Sequence, residues 1–168
     1  MGICGLLAEA FTYPHGALLA ELQAGVKDLN RRHPAYAGLA AFCSRIARLS
    51  VEEWEELATR TLDLSPAAAP YVGFQIWGDS YPRGSFMSKL NRAMYELDID
   101  PAGELPDHVV PVLRYLDAAA NPLPELAEHL PVAVTRMLAI LREKDRDNPY
   151  VSLYEAVLHA AENLRVQA

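Results

Sequence analysis

No uninterrupted apolar stretch in this chain approaches the ~20 residues that a membrane-spanning helix requires, although 51% of its residues are hydrophobic. Cysteine is scarce: Cys4 and Cys43 stand far apart with no neighbouring thiol or histidine, which excludes a Cys-x-x-Cys redox or zinc framework. Cys43 falls on an apolar helix face and reads as a small core residue in a reducing compartment. Glycines are few and isolated; Gly78, Gly84 and Gly103 form no phosphate-cradling loop, and Ser85 after Gly84 lacks the second glycine of a nucleophile elbow. Positive charge is in deficit, 15 Lys and Arg against 22 Asp and Glu, a net −7 that argues against a nucleic-acid surface. The segment Met1–Leu7 lacks the basic start of a secretion signal and soon meets Glu9 and Pro14. Gly2 does not complete a myristoylation motif, because Leu6 stands where Ser or Thr is needed. The expectation is a cytoplasmic protein, neither exported nor stably inserted in a membrane.

Strand signals are also sparse. What the chain has instead is apolar residues at helical spacing, block after block. Leu19, Leu22, Val26 and Leu29 make one stripe, and Leu39, Phe42, Cys43, Ile46 and Leu49 the next. Ser50-Val51-Glu52-Glu53 is a capping box, followed by Trp54, Ala58 and Thr61 on the apolar side. Pro82 suits a first helical turn, with Phe86, Leu90, Ala93 and Leu97 as the inner stripe. Pro106-Asp107 opens a helix bearing Val109, Val112, Leu113 and Leu116. Val134, Met137, Leu138 and Leu141 mark another, with Pro131 near its start or at a kink. Asn148-Pro149, a cap followed by a first-turn proline, begins the last, whose stripe runs from Tyr150 to Leu164. The segment Tyr71–Trp77 has strand-like content, but with no second strand to pair with it reads as a buried helix closed by Gly78. Loops fall around 63–70, 98–106 and 118–124. The fold class is all-α: one domain over residues 1–168, a compact bundle of roughly seven to nine helices.

No catalytic constellation assembles from spacing. The five histidines include no two at helical ligand spacing. The best metal-like or acid–base group is Glu104-x-x-Asp107-His108, but acids before and at a helix start also satisfy backbone N–H groups and the dipole. On that reading Asp107→Ala loses a cap worth about 0.5–2 kcal/mol. A second polar cluster is Gly78-Asp79-Ser80-Tyr81-Pro82-Arg83-Gly84. There Asp79 takes a capping position and pairs with Arg83 to pin a turn, or else Arg83 presents a guanidinium to a peptide carboxylate or carbonyl.

These two clusters, in this order, resemble a known family. The stretch from Tyr71 to Met87, YVGFQIWGDSYPRGSFM, is similar to the central motif of the NarJ (nitrate reductase delta-subunit) chaperones: an aromatic helix, then Gly-Asp-Ser, then Arg-Gly and a methionine. Residues 104–113, ELPDHVVPVL, resemble that family's Glu-Leu-Pro-Asp-x-Leu-Pro-x-x-Leu segment. Leu6-Leu7 through Tyr13-Pro14 and Asn148-Pro149-Tyr150 add to the likeness. The Glu-x-x-Asp-His spacing is also that of the related TorD and DmsD chaperones. Two departures stand out: Arg114 where the nitrate-reductase branch has an acid, and His108 where it has an aromatic.

The resemblance implies a TorD-like helical chaperone, not an enzyme and without a cofactor of its own. Such a chaperone binds the N-terminal peptide of a molybdoenzyme's catalytic (alpha) subunit, foremost nitrate reductase. It assists molybdenum-cofactor insertion before assembly, and contact with cofactor-biosynthesis proteins is implied too. A leader that folds into an amphipathic helix needs an apolar groove with polar ends. The expected wall is Tyr71, Phe74, Gln75 and Met87, and the polar contacts are Asp79, Arg83, Glu104, Asp107 and His108. His108, titrating near neutral pH, would make binding pH-sensitive. The alternatives are a helical adaptor with a different protein client, and an enzyme using Glu104, Asp107 and His108.

Overall fold

The computed structural model of the chain describes residues 1–167. Its regular structure is all-helical: α1 Ile3–Ala10, α2 Leu18–Asp28, α3 Tyr36–Ile46, α4 Val51–Ala58, α5 Val72–Trp77, α6 Tyr81–Glu96, α7 Val109–Ala118, α8 Pro124–Lys144 and α9 Tyr150–Gln167. A π-helical turn, Thr59–Asp63, extends α4, and a short 3-10 turn, Pro66–Ala68, precedes α5. No helix among the described residues is long and apolar enough to cross a membrane.

α9 lies centrally, packed against α8, α3 and α1, while α7 covers α1 and α5 rests on α8. The core runs from Cys4 to Ala161. Its aromatic centre is Phe42, with its ring centroid 5.1 Å from that of Tyr150 and 6.3 Å from that of Trp54. The Trp54 indole donates to the Tyr150 hydroxyl at 3.1 Å, so one buried donor is satisfied where the chain brings residues 96 positions apart together. Both cysteines are buried, and desolvation pushes each thiol up to about 11, which keeps them protonated and inert.

Local signals set several helix ends. Ser50 and Glu53 form both bonds of the capping box. The Asn148 side chain accepts from the Tyr150 N–H at 2.9 Å and donates to the buried Thr61 hydroxyl at 2.8 Å, tying the start of α9 to the middle of the α4 extension. The N-terminus of α1 is capped from a distance: the Asp117 carboxylate, on α7, accepts from the N–H groups of Gly2 and Gly5.

Three expectations are corrected. Leu97 is not in the inner stripe of α6; it caps the helix end, 42% exposed, and Met94 is buried in its place. The helix anticipated around Val134 begins at Pro124, so Pro131 lies in its interior and forgoes one backbone hydrogen bond. Helix α7 starts at Val109 with His108 as its cap, two residues later than Pro106-Asp107 suggests.

Tyr154 is fully buried near Phe11, and among the described residues its hydroxyl has no hydrogen-bond partner. A buried polar group left unpaired costs about 1–3 kcal/mol. Tyr154→Phe is therefore expected to stabilise the protein by about 1 kcal/mol, read as a higher urea midpoint at unchanged m-value. A lower midpoint would mean that the hydroxyl is bonded after all.

Candidate functional site

The two segments that carry the motif resemblance, 71–87 and 104–113, are joined in space. Tyr71 is extended (φ −118°, ψ 113°) and forms an isolated antiparallel bridge with His108. The Val72 N–H donates to the Asp107 carbonyl and the Val109 N–H to the Pro70 carbonyl, each at 2.8 Å. The strand-like content of Tyr71-Val72 thus has a partner for one residue, after which the chain turns into α5. Gly78, with φ +64°, closes α5 as expected, in a conformation glycine adopts without cost.

The bridge places Asp107 beside the first turn of α6. Its carboxylate, 0% exposed, accepts two bonds from the Arg83 guanidinium, Nε at 2.9 Å and a terminal nitrogen at 3.2 Å. This forked geometry is the strongest form of the pair. The guanidinium carbon also lies 5.6 Å from the ring centroids of both Tyr71 and Phe74, two cation–π contacts that hold it from the other side. Tyr71 in turn donates its hydroxyl to Glu104 at 2.9 Å and meets the His108 ring edge-on at 5.0 Å. Burial, then the bond and charge of Glu104, push the Tyr71 phenol up to about 12.

Six of the nine candidate residues are brought together here: Tyr71, Phe74, Arg83, Glu104, Asp107 and His108. Arg83 does not pair with Asp79. Gly78 and the extended Ser80 (φ −141°) place Asp79 before the helix, so the four-residue spacing to Arg83 has no helical meaning. Asp79 is exposed, and its carboxylate makes no bond among the described residues. Asp107 is not a cap either. The α7 cap is His108, whose Nδ1 accepts from the Val110 N–H at 3.1 Å. Nor can Asp107 meet a ligand directly, since it is wholly enclosed against Arg83. The Gln75 amide donates to the carbonyls of Ala67 and Ala69, both at 3.1 Å, and so pins the turn before α5. Met87, half-buried, follows Arg83 by one helical turn.

A pocket of about 390 Å³ opens beside this cluster, lined by Phe11, Tyr13, Asp63, Glu104, His108 and Arg114 among others. Arg114, the charge that departs from the nitrate-reductase pattern, pairs with Glu9 of α1 at 3.1 Å. That contact had no sequence signal, being 105 positions apart. The exposed carboxylate of Glu104 and the edge of His108 are the polar groups of the 104–113 segment that line this pocket.

Burial lowers the His108 pKa below its ordinary 6.5, and the nearby Glu104, Asp107 and Asp63 only partly oppose this. The imidazole is neutral in the fold, as its accepting Nδ1 requires, which moves its titration below the neutral range. The unfolded chain protonates first as pH falls through about 6.5. Stability contributed by neutral His108 is thus complete above that pH and declines below it, levelling off under the folded value. His108→Asn keeps a cap and removes the titration. Between pH 7.5 and 5.5 the urea midpoint of the natural protein is expected to fall more steeply than that of the variant; parallel profiles would refute this.

No protein-family model matches the chain, and no curated protein matches its sequence.

Proposed function

We propose that the protein is a client-specific chaperone in the maturation of a molybdoenzyme, with a nitrate reductase the first candidate. It binds the N-terminal peptide of the catalytic subunit in the cytoplasm and holds that subunit for molybdenum-cofactor insertion before assembly. The observation that carries this reading is the joining of the two family-like motifs, 24 residues apart at Arg83 and Asp107, into one half-exposed surface. Motif residues that serve only local packing would have no need to converge.

The side chains divide by role. Arg83 and Asp107 hold the surface in shape. Tyr71, Phe74 and Met87 offer large or adaptable apolar contacts to an amphipathic helix. Glu104, its side chain 45% exposed, meets a basic residue of the leader. An enzyme built on Glu104, Asp107 and His108 is less well supported, because Asp107 is engaged by Arg83 and the His108 Nδ1 by Val110. The adaptor alternative shares this surface and differs only in client.

Titration with synthetic N-terminal peptides of molybdoenzyme catalytic subunits tests the proposal. Saturable binding at about micromolar Kd or tighter to one leader, lost on scrambling it and weakened by Glu104→Gln at unchanged fold stability, is the expected result. Absence of binding to every leader would overturn it.

A further inference from the structure

A trough runs from the motif cluster along α4. The pocket beside Glu104 and His108 continues past Tyr13 into a second hollow of about 420 Å³. Tyr13 lines both, and the consecutive residues Asp63 and Leu64 line one each. Buried Phe11, Ala58 and Val110 form the floor, while Tyr13 and Leu64 stand 62% and 71% exposed between the two ends. An apolar surface open to water and edged by charge has the form of an interaction site. Here the edge is of one sign. Glu52, Glu55, Glu56 and Asp63 come from α4 and its π-helical extension, and Glu104 from the loop before α7. The two arginines of the lining are each opposed by an acid outside it: Arg60 lies 3.9 Å from Asp145, and Arg114 3.1 Å from Glu9.

Local structure does not account for these acids. Glu52, Glu55, Glu56 and Asp63 have no ion pair or side-chain hydrogen bond among the described residues. The helix dipole favours acid only in the first turn, and Glu55, Glu56 and Asp63 lie beyond it. Glu52 faces Glu55 and Glu56 at three- and four-residue spacing, where like charges repel. Cations laid along this stripe relieve the repulsion. At the far end, Asp63 and Glu104 both bear on the His108 ring, so the two walls converge there. We infer that the trough binds a cationic amphipathic helix of about three turns, its apolar residues on Tyr13 and Leu64 and its Lys or Arg residues along the carboxylates. The stripe from Glu52 to Asp63 is about 16 Å long, which matches three helical turns. Basic residues at three- and four-residue spacing on the partner therefore fall opposite successive acids. The inference rests on the chaperone reading for the partner's identity, the client leader running on from Glu104, and on the trough itself for the partner's chemistry.

The probe is a synthetic amidated helix of about four turns, with lysines at three- and four-residue spacing and leucines on the adjoining face. By fluorescence anisotropy it is expected to bind the protein saturably, with a Kd that rises with salt. The quadruple variant Glu52→Gln/Glu55→Gln/Glu56→Gln/Asp63→Asn is expected to raise that Kd about tenfold or more and to flatten its salt dependence. Glu53 is kept, so the capping box still starts α4. Tyr13→Ala is expected to weaken binding severalfold while leaving the salt dependence in place. A probe with glutamates for lysines is expected not to bind. Failure of the lysine probe to bind would overturn the inference, as would an unchanged Kd in the quadruple variant. Equal binding of a scrambled peptide, with lysines all round its helix, would do the same. Client leaders separate the trough from the chaperone reading. A leader weakened by Glu104→Gln but not by the quadruple variant would leave the chaperone reading standing and overturn the trough. A lysine probe that docks as described when no molybdoenzyme leader binds would keep the trough and overturn the chaperone reading.

Discussion

Asp107→Ala is expected to destabilise the protein by about 3–5 kcal/mol, the usual cost of leaving the partner of a buried ion pair without its counter-charge. Asp107 is 0% exposed and the Arg83 side chain only 11%, so water cannot replace the lost carboxylate. Read as a helix cap from sequence, the same substitution would cost no more than about 2 kcal/mol, and chemical denaturation separates the two values. The double variant Arg83→Met/Asp107→Ala removes both charges. It is expected to be less destabilised than the sum of the two single variants, by a coupling of about 0.5–3 kcal/mol. If the double variant is as unstable as the sum of the singles, the pair is not what joins the motif segments. Loss of client binding in Asp107→Ala would follow from loss of the surface, which is why Glu104→Gln is the better probe of contact.

The course of the helices was legible wherever a local signal sets it. Ser50 with Glu53, Asn148 before Pro149, and Gly78 after Trp77 each act through bonds or dihedrals within a few residues, and the structure has all three. What sequence did not convey was the choice among equivalent partners. Arg83 had an acid four residues before it and another 24 residues after it. Spacing favoured Asp79, yet the bend at Gly78 takes Asp79 out of helical register. Pro106-Asp107 likewise had the form of a helix opening. The backbone from 107 to 109 is instead drawn into pairing with 70–72, a tertiary demand that overrides the local preference. Asp117, which caps α1 from more than a hundred residues away, gave no sign of that role in the chain around it. The candidate site was therefore legible as a set of residues through the motif resemblance, and not as a set of bonds.

Gly73 supplies the second large effect, and its sign is decided by space alone. It lies inside α5 with ordinary helical backbone, where alanine is favoured over glycine by about 1 kcal/mol. A Cβ at this position would stand 2.8 Å from the Asp107 carboxylate, 3.1 Å from the Arg83 Cγ and 3.1 Å from the Phe86 ring. None of the three is free to yield. Asp107 and Phe86 are fully buried, and Arg83 is held by its fork and by two aromatic rings. Gly73→Ala is therefore expected to destabilise by about 1–3 kcal/mol, the range for overpacking a close-fitted site, with the motif surface disturbed in the same step. A rise in the urea midpoint would mean that the cradle relaxes around the methyl group, and that the close fit of α5 over the Arg83–Asp107 pair is not needed to hold the two motif segments together. A fall accompanied by weakened leader binding would tie the missing side chain at position 73 to the shape of the client surface.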